Sequence, residues 1–202
     1  SDTWELALAA RYDREERTVD NQVPNVNNSG LNVNLVDANF APLPINPALA
    51  GGAIADRSAD FNQFQPKVTL SWAASDKINW YASYGMGFRS GGFNSVGTSD
   101  TLNFWFNSGF GGPGEAVDAQ LQITDDYDKE ISRSIELGVK AEYMDRRVRV
   151  NAAVFKTDVD DNQFFEFFAG PFGLLRTVTT IDELTIRGFE VDATFAVTEN
   201  LS

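Results

Sequence analysis

Residues 77–94, KINWYASYGMGFRSGGFN, decide the fold. Apolar side chains occupy every second position of this stretch, namely Ile78, Trp80, Ala82, Tyr84, Met86 and Phe88. Because successive side chains of a β-strand point to opposite faces, this period of two predicts a strand with one apolar face and one polar face. At about 3.3 Å per residue such a strand is about 35 to 40 Å long, enough to cross a bilayer along a tilted path.

Five further stretches repeat this pattern. The predicted strands span about residues 4–13, 62–73, 77–89, 129–143, 147–168 and 174–197. The longer connections, at 14–61, 90–128 and 169–173, alternate with tight turns such as Ala74-Ser75-Asp76. In an up-and-down antiparallel sheet alternate connections lie on the same side, so the longer loops are predicted to share one rim, named here the loop rim.

The composition excludes several classes of function. The chain has 29 acidic and 16 basic residues and a net charge of -13, which disfavours nucleic acid as a partner because phosphate binding requires clustered Lys and Arg. It has no Cys and no His, which removes disulfides, thiolate metal sites and the usual Ser-His and zinc-His sites from these residues. We therefore expect neither enzymatic activity nor a cofactor.

Membrane crossing by strands fits the sequence better than a soluble β-sandwich. The chain has no run of 18 or more apolar residues, so no transmembrane helix is predicted. Its start lacks a charged and apolar leader, and we expect either that a leader was removed or that the chain is a piece of a longer protein. Strands longer than the usual 5 to 6 residues, with all long loops on one rim, favour an antiparallel up-and-down transmembrane β-barrel.

Three segments resemble the barrel strands of TonB-dependent outer-membrane receptors. They are FQPKVTLSWAASDKINWYASYGMGFRSGGFN (64–94), SRSIELGVKAEYMDRRVRVNAAVFKTDVDDNQ (132–163) and IRGFEVDATFAVTENLS (186–202). The resemblance implies an all-β fold, in which about six strands belong to the later half of a 22-stranded barrel. The plug domain of the family is expected to be absent from this chain.

The resemblance also implies a function at the bacterial outer membrane. Receptors of this family import a scarce nutrient, such as a ferric siderophore, cobalamin or a saccharide, by loop capture and energy-coupled plug displacement. The implied partners are the receptor's own plug, TonB, outer-membrane lipid and lipopolysaccharide, and a small nutrient ligand. Two alternatives stay open: a structural or interaction component of an outer-membrane surface assembly, and a passive porin.

Charged residues on the polar phase of the strands are predicted to face the lumen. They are Glu136, Lys140, Arg149, Glu190 and Asp192. Such groups could hold the plug or guide a substrate, although any barrel lumen is polar and a charge facing lipid at mid-bilayer costs about 2 to 4 kcal/mol.

Two further groups are candidates for binding. Arg89 and the loop aromatics Phe104, Trp105, Phe106 and Phe110 could contact a ligand, or could serve only rim pairing and loop packing. The oxygen-rich residues Asp158, Asp160 and Asp161 could hold a hard cation such as calcium. They lack the Gly and distal Glu of a calcium loop, so a solvated or lipopolysaccharide-facing rim is the favoured interpretation.

Overall fold

The computed structural model describes residues 3–20, 56–95, 98–107, 122–145, 147–170 and 173–196. Six long strands form one antiparallel sheet. In chain order the elements are β1 (Trp4–Val19), β2 (Arg57–Ser75), β3 (Ile78–Arg89), β4 (Gly92–Phe93), α1 (Thr98–Asn107), β5 (Asp126–Tyr127), β6 (Glu130–Tyr143), β7 (Val148–Gly170) and β8 (Gly173–Phe195). Within the described ranges no helix is long and apolar enough to span a membrane.

The strand order is β1-β2-β3-β6-β7-β8, with β4 and β5 paired in a separate two-stranded sheet. Each long strand therefore lies beside the long strand that precedes it in the chain, as in an up-and-down sheet. This order confirms the predicted all-β antiparallel architecture. The sheet is open, with β1 and β8 at its two edges.

Several strands extend further toward the loop rim than predicted. β1 continues to Val19 and β2 begins at Arg57, so both ends of the predicted loop 14–61 are strand. β7 and β8 likewise extend until Gly170 pairs with Gly173, which takes most of the predicted loop 169–173. The prediction missed these strand ends because their residues do not alternate between apolar and polar. The hydrogen bonds of the ladder join backbone groups and do not depend on that alternation.

The strand register brings the apolar phases of all six strands to one side of the sheet, the apolar face. Trp72 pairs with both Trp4 and Trp80, and the Trp4 and Trp72 rings stack with centroids 5.5 Å apart. Large exposed side chains on this face include Leu6, Leu8, Phe64, Leu70, Trp80, Ile135, Leu137, Val154, Phe189, Val191 and Phe195. An apolar surface of this extent is typical of a face that contacts lipid or another protein.

The opposite side of the sheet, the polar face, carries the residues predicted to face a lumen. Lys140 pairs with Asn151, which pairs in turn with Asp192. Glu136, Arg149 and Glu190 occupy the same phase of their strands, so all five predicted residues share this face.

Aromatic rings on the polar face cover glycines of the neighbouring strand. Tyr81 lies directly opposite Gly138, where a Cβ atom would come within 2.4 Å of the Tyr81 ring. The Tyr81 hydroxyl donates a hydrogen bond of 2.6 Å to the Glu136 carboxylate, which holds the ring over the glycine. Phe155 covers Gly188 in the same way, with 2.6 Å between its ring and a built Cβ atom.

We expect Gly138→Ala to destabilise the barrel by about 1 to 3 kcal/mol, the usual cost of inserting a methyl group into a filled space. The new methyl group displaces the Tyr81 ring and breaks its hydrogen bond to Glu136. The measurement is the urea midpoint of the refolded barrel in detergent. Gly85→Ala is the control, because a Cβ atom at Gly85 lies 3.8 Å from its nearest neighbour. Equal losses in both variants would contradict the packing role of Gly138.

Candidate functional site

Buried polar side chains concentrate at the loop rim. Ser90, Asn94, Thr98, Gln163 and Thr177 are all less than 9% exposed. They lie where β3 leaves the sheet, on the segment that follows it, and on the outer halves of β7 and β8. We name the residues that join these elements, Arg57, Ser90, Asn94, Glu130 and Gln163, the loop-rim cluster.

Two glycines allow the chain to pass through this crowded region. A Cβ atom at Gly91 would lie 2.3 Å from the Tyr127 carbonyl oxygen and 2.5 Å from the Phe61 ring. A Cβ atom at Gly92 would lie 2.5 Å from the Tyr127 hydroxyl oxygen. Only glycine allows the backbone to come this close to Tyr127 and Phe61. The close approach lets β4 pair with β5 through Gly92 and Tyr127.

Asn94 uses its whole side chain to tie the segment after β3 to β8. Its Nδ2 group donates to the carbonyls of Thr124 at 2.9 Å and Val178 at 2.8 Å. Its Oδ1 atom accepts from the Val178 backbone N–H at 2.7 Å. A buried amide with these bonds satisfies backbone groups at a strand edge and fixes the segment in one position.

Arg57, at the start of β2, holds the same segment from the other side. Its Nη2 group donates to the Asn94 carbonyl at 2.7 Å. Its Nη1 group donates to the Asp125 carbonyl at 3.1 Å and to the Asp126 carboxylate at 2.9 Å, and its guanidinium lies 4.7 Å from the Phe93 ring centroid. The fixed fork of donors suits this role, since one side chain donates hydrogen bonds to three neighbouring groups.

Glu130 and Gln163 join β6 and β7 to the same region. The Glu130 carboxylate accepts from the Gln163 backbone N–H at 2.8 Å and from the Asn162 side chain at 3.2 Å. The Gln163 amide donates to the carbonyls of Ser90 and Asp128, both at 2.9 Å. All of these bonds are internal to the protein, so the cluster is a rigid support.

The ladder between β7 and β8 is interrupted beside this cluster. Asp161 has a positive φ of 52° and lies between the pairs Asp160↔Glu183 and Asn162↔Ile181 without a register partner of its own. Burial raises the pKa of the Asp161 carboxyl, and the charges of Asp128, Asp160 and Asp182 raise it further. This part of the loop rim is therefore a poor site for an anion.

The predicted loop 90–128 contains helix α1, which the sequence pattern did not reveal. The Asp125 carboxylate accepts from the Ser99 backbone N–H at 2.9 Å, a favourable place for a negative charge at a helix start. Leu102 is fully buried, and Phe106 contacts Phe168 edge-on with centroids 5.6 Å apart. Tertiary contacts thus stabilise a helix that is too short to be stable alone.

Of the predicted ligand residues, the structure describes the side chains of Arg89 and Phe106. Arg89 is half exposed at the end of β3, with its guanidinium 3.9 Å from Glu130. Phe106 packs on β7 as described. The side chains of Phe104 and Trp105, and the whole of Phe110, lie outside the described residues.

Two of the three residues considered as a cation site, Asp158 and Asp160, take part in ion pairs. Asp158 accepts from Lys156 at 2.5 Å and Thr185 at 2.7 Å, and Asp160 accepts from Arg133 at 2.5 Å. No group of three or more acidic residues in the described part of the chain is arranged to hold a metal ion. The carboxylates of Asp158 and Asp160 pair with Lys156 of β7 and Arg133 of β6, respectively.

A family model described as TonB dependent receptor-like, beta-barrel, matches residues 1–202. The chain belongs to this family of receptor β-barrels. The match covers the whole chain and confirms the resemblance found in its strands. Members of the TonB-dependent receptor family are outer-membrane proteins of bacteria.

Solved structures agree on the fold. The chain is similar to the copper transporter OprC, with 19% identity and a TM-score of 0.58 over 98% of this chain and 25% of that one. It is similar to the ferric yersiniabactin uptake receptor FyuA from Yersinia pestis, with 15% identity and a TM-score of 0.57 over 98% of this chain and 22% of that one. It is similar to the ferric-catecholate import receptor Fiu from E. coli K12, with 17% identity and a TM-score of 0.53 over 98% of this chain and 24% of that one. The chain thus spans about a quarter of each of these receptors.

We expect Asn94→Ala to loosen residues 90–128, because it removes three hydrogen bonds worth about 1 kcal/mol each. Protease cleavage in this segment of the folded barrel should become at least several-fold faster. Asn94→Asp should behave like Asn94→Ala, since a carboxylate would face two carbonyl oxygens. Asn62→Asp, at an exposed position of β2 opposite Arg14, is the matched control. Wild-type resistance of Asn94→Asp would contradict the tethering role.

Proposed function

We propose that the chain forms part of the wall of an outer-membrane receptor that imports a scarce nutrient of the ferric-siderophore, cobalamin or saccharide class. One observation carries the proposal: a single sheet has an exposed apolar face, a charged polar face and an ordered cluster at the rim of the long connections. The apolar face suits lipid, the polar face suits a hydrated lumen, and the loop rim suits capture of a ligand from outside.

The polar face would serve as the wall along which the plug and the cargo are held. It carries charges of both signs, and some are paired, as between Arg149 and Glu142 at 3.1 Å. The neutral Asn151 side chain donates a hydrogen bond to the Asp192 carboxylate at 3.2 Å. Lys140 lies 5.5 Å from the Tyr81 ring centroid. A wall of this kind offers exchangeable polar contacts, which a plug displaced by TonB can release and form again.

Capture of the nutrient would take place at the loop rim. The cluster around Arg57 and Asn94 gives the segment that carries α1 a fixed base, and Phe106 attaches that helix to β7. Arg89 and the aromatics Phe104, Trp105, Phe106 and Phe110 are the proposed contact residues. Rigid support for binding residues lowers the entropy lost when a ligand is held.

A surface at the tip of the β7–β8 hairpin favours a second candidate function, contact with a protein of an outer-membrane assembly. Phe167 and Leu174 are 64% and 70% exposed, and the Arg176 guanidinium lies 3.8 Å from the Phe165 ring centroid. Aromatic and Arg side chains are enriched among residues that dominate protein interfaces. The passive porin has no comparable observation in its favour.

Membrane placement is tested by a pair of adjacent substitutions. We expect Leu137→Arg to reduce the folded, heat-modifiable band of the barrel on a gel to less than about half, since Arg facing mid-bilayer costs about 2 to 4 kcal/mol. Glu136→Gln should migrate like the wild type, because the amide retains an oxygen that accepts from Tyr81. Equal tolerance of both substitutions would overturn the assignment of the two faces.

Import is tested in cells that carry or lack the gene for the receptor. The probes are radioactive iron bound to a catecholate or a hydroxamate siderophore, cobalamin and a maltodextrin, with the iron chelates first because similar structures include ferric-chelate receptors. Receptor-dependent uptake of one probe should be abolished by a protonophore. Phe106→Ala should raise its half-saturating concentration by about 3 to 10-fold, the loss expected for one aromatic contact.

Uptake that depends on the gene but resists the protonophore would replace the receptor proposal with the passive porin. Uptake of all probes that is unaffected by loss of the gene would favour the interaction role instead.

A further inference from the structure

The outer part of the β7–β8 hairpin, residues 162–170 and 173–181, is separated from the wall by a break in the ladder. We name this part the outer hairpin. The described β7–β8 ladder is continuous on both sides of Asp161 and Asp182, and these two residues alone are left unpaired within it. Asp161 has a left-handed φ of 52°, which is uncommon for a residue other than glycine and is found at switch regions of proteins. The backbone thus marks Asp161 as a hinge candidate.

The break is particular to this hairpin. The ladder between β1 and β2 runs to the same rim without interruption, from Trp4 opposite Trp72 to Val19 opposite Arg57. Extension of strands beyond the apolar run therefore does not by itself require a break.

Beyond the break, the outer hairpin lies against the segment that carries α1. Asn94 bonds both backbone polar groups of Val178, at 2.7 and 2.8 Å. Phe106 of α1 contacts Phe168 edge-on, and Thr177, beside Val178, is 1% exposed. The position of α1 is therefore linked to the position of the outer hairpin.

Contacts next to the break give the hinge a fixed base. The Glu130 carboxylate accepts from the Gln163 backbone N–H at 2.8 Å, and the Gln163 amide donates to the Ser90 carbonyl at 2.9 Å. Gln163 lies two residues from Asp161, whereas Phe168 lies seven residues from it, about 23 Å along a strand. A small rotation at Asp161 therefore displaces the contacts of Phe168 far more than those of Gln163.

Carboxylates converge on the break. Partial burial raises the pKa of the Asp161 carboxyl, and the charges of Asp128, Asp160 and Asp182 raise it further. These three acids come from the segment before β6, from β7 and from β8, so negative charge surrounds Asp161 on several sides.

The cations of the neighbouring elements are engaged elsewhere. The other charged groups around the break are Arg89 of β3, Lys129 before β6, Glu130 and Arg133 of β6, and Glu183 of β8. Arg133 pairs with Asp160, and Arg89 lies 3.9 Å from Glu130. Lys129 donates to the Asn62 carbonyl at 2.9 Å. Within the described residues, no cation pairs with Asp161.

The raised pKa determines the direction of a pH effect. With its carboxyl in water Asp161 would have its ordinary pKa of 3.8, so the docked arrangement binds a proton more tightly than a released one. Protonation therefore stabilises the docked hairpin at low pH, and this stabilisation is lost as the pH rises through the raised pKa. Above that pH the ionised Asp161 and Asp182 repel each other across the break.

We propose that Asp161 and Asp182 form a proton-sensitive hinge, which docks the outer hairpin against Asn94 and α1 in acid and releases it when Asp161 is ionised. The proposal rests on the proposed capture of a nutrient at the loop rim, because α1 carries the proposed contact residue Phe106. Docking fixes the base of that residue, and release frees it. The hinge would thereby make capture sensitive to the pH outside the cell.

The distance between two spin labels tests the hinge in the complete receptor, purified in mild detergent without a ligand. The labels are attached through Leu174→Cys on the outer hairpin and Ser58→Cys on β2, both at exposed positions. This chain has no Cys, and any Cys elsewhere in the receptor is replaced by Ser. Between about pH 4 and about pH 8, the ratio of docked to released hairpin should fall with rising pH, by up to about tenfold per pH unit for one proton.

Three substitutions assign the response to the hinge. Asp161→Asn removes the charge but tolerates the left-handed backbone, so it should keep the hairpin docked over the whole range. Asp182→Asn removes one neighbouring carboxylate and should move the midpoint of release to lower pH. Asp76→Asn, in the exposed turn between β2 and β3 at the opposite rim, is the matched control and should respond like the wild type.

A label distance that does not change with pH in the wild type would overturn the hinge, as would a wild-type response in Asp161→Asn. The uptake assay described above separates this failure from failure of the import proposal. Receptor-dependent uptake together with a pH-independent distance overturns the hinge alone. A pH-dependent distance in a receptor that imports none of the probes supports the hinge and overturns import.

Discussion

The register of the antiparallel ladder is the constraint on which the rest of the structure depends. Side chains alternate along each strand, so a slip of one residue between β3 and β6 would move Leu137 to the polar face and Glu136 to the apolar face. The register is fixed on both faces by shape. Trp72 lies between Trp4 and Trp80 on one face, and the Tyr81 ring covers Gly138 on the other. These pairings decide on which face of the sheet each side chain lies. Every proposed contact with lipid, lumen or ligand depends on that placement.

The loop-rim cluster solves a different physical problem. Beyond the apolar run of the sheet, a different interaction holds the segments of the loop rim in place. Arg57, Asn94, Glu130 and Gln163 instead use buried hydrogen bonds to backbone groups of distant segments. Such bonds are strong where water is excluded, and each unsatisfied partner would be costly. The long segment after β3 therefore has a defined base, on which variable binding residues can be carried.

Basic and acidic residues lie at the boundary between these two regions. Lys156 and Arg187 end the apolar run of β7 and β8 with positive charge, and Asp158 to Asp161 follow toward the loop rim. The sequence-based interpretation considered the acids alone, as a cation site or a solvated rim. With the strands paired, Lys156 and Arg133 engage Asp158 and Asp160, and Arg187 lies beside Lys156.

The sequence by itself determined the fold class, the strand order and the two faces, because period-two alternation is a local property of residues such as those at 77–94. It also marked residues 64–94 and 132–163 as similar to receptor strands. Only the tertiary structure decided the extended ends of β1, β2, β7 and β8, helix α1, and the roles of Arg57, Asn94 and Gln163. These features rest on hydrogen bonds between segments about 30 to 85 residues apart, and no local pattern of hydrophobicity encodes such bonds.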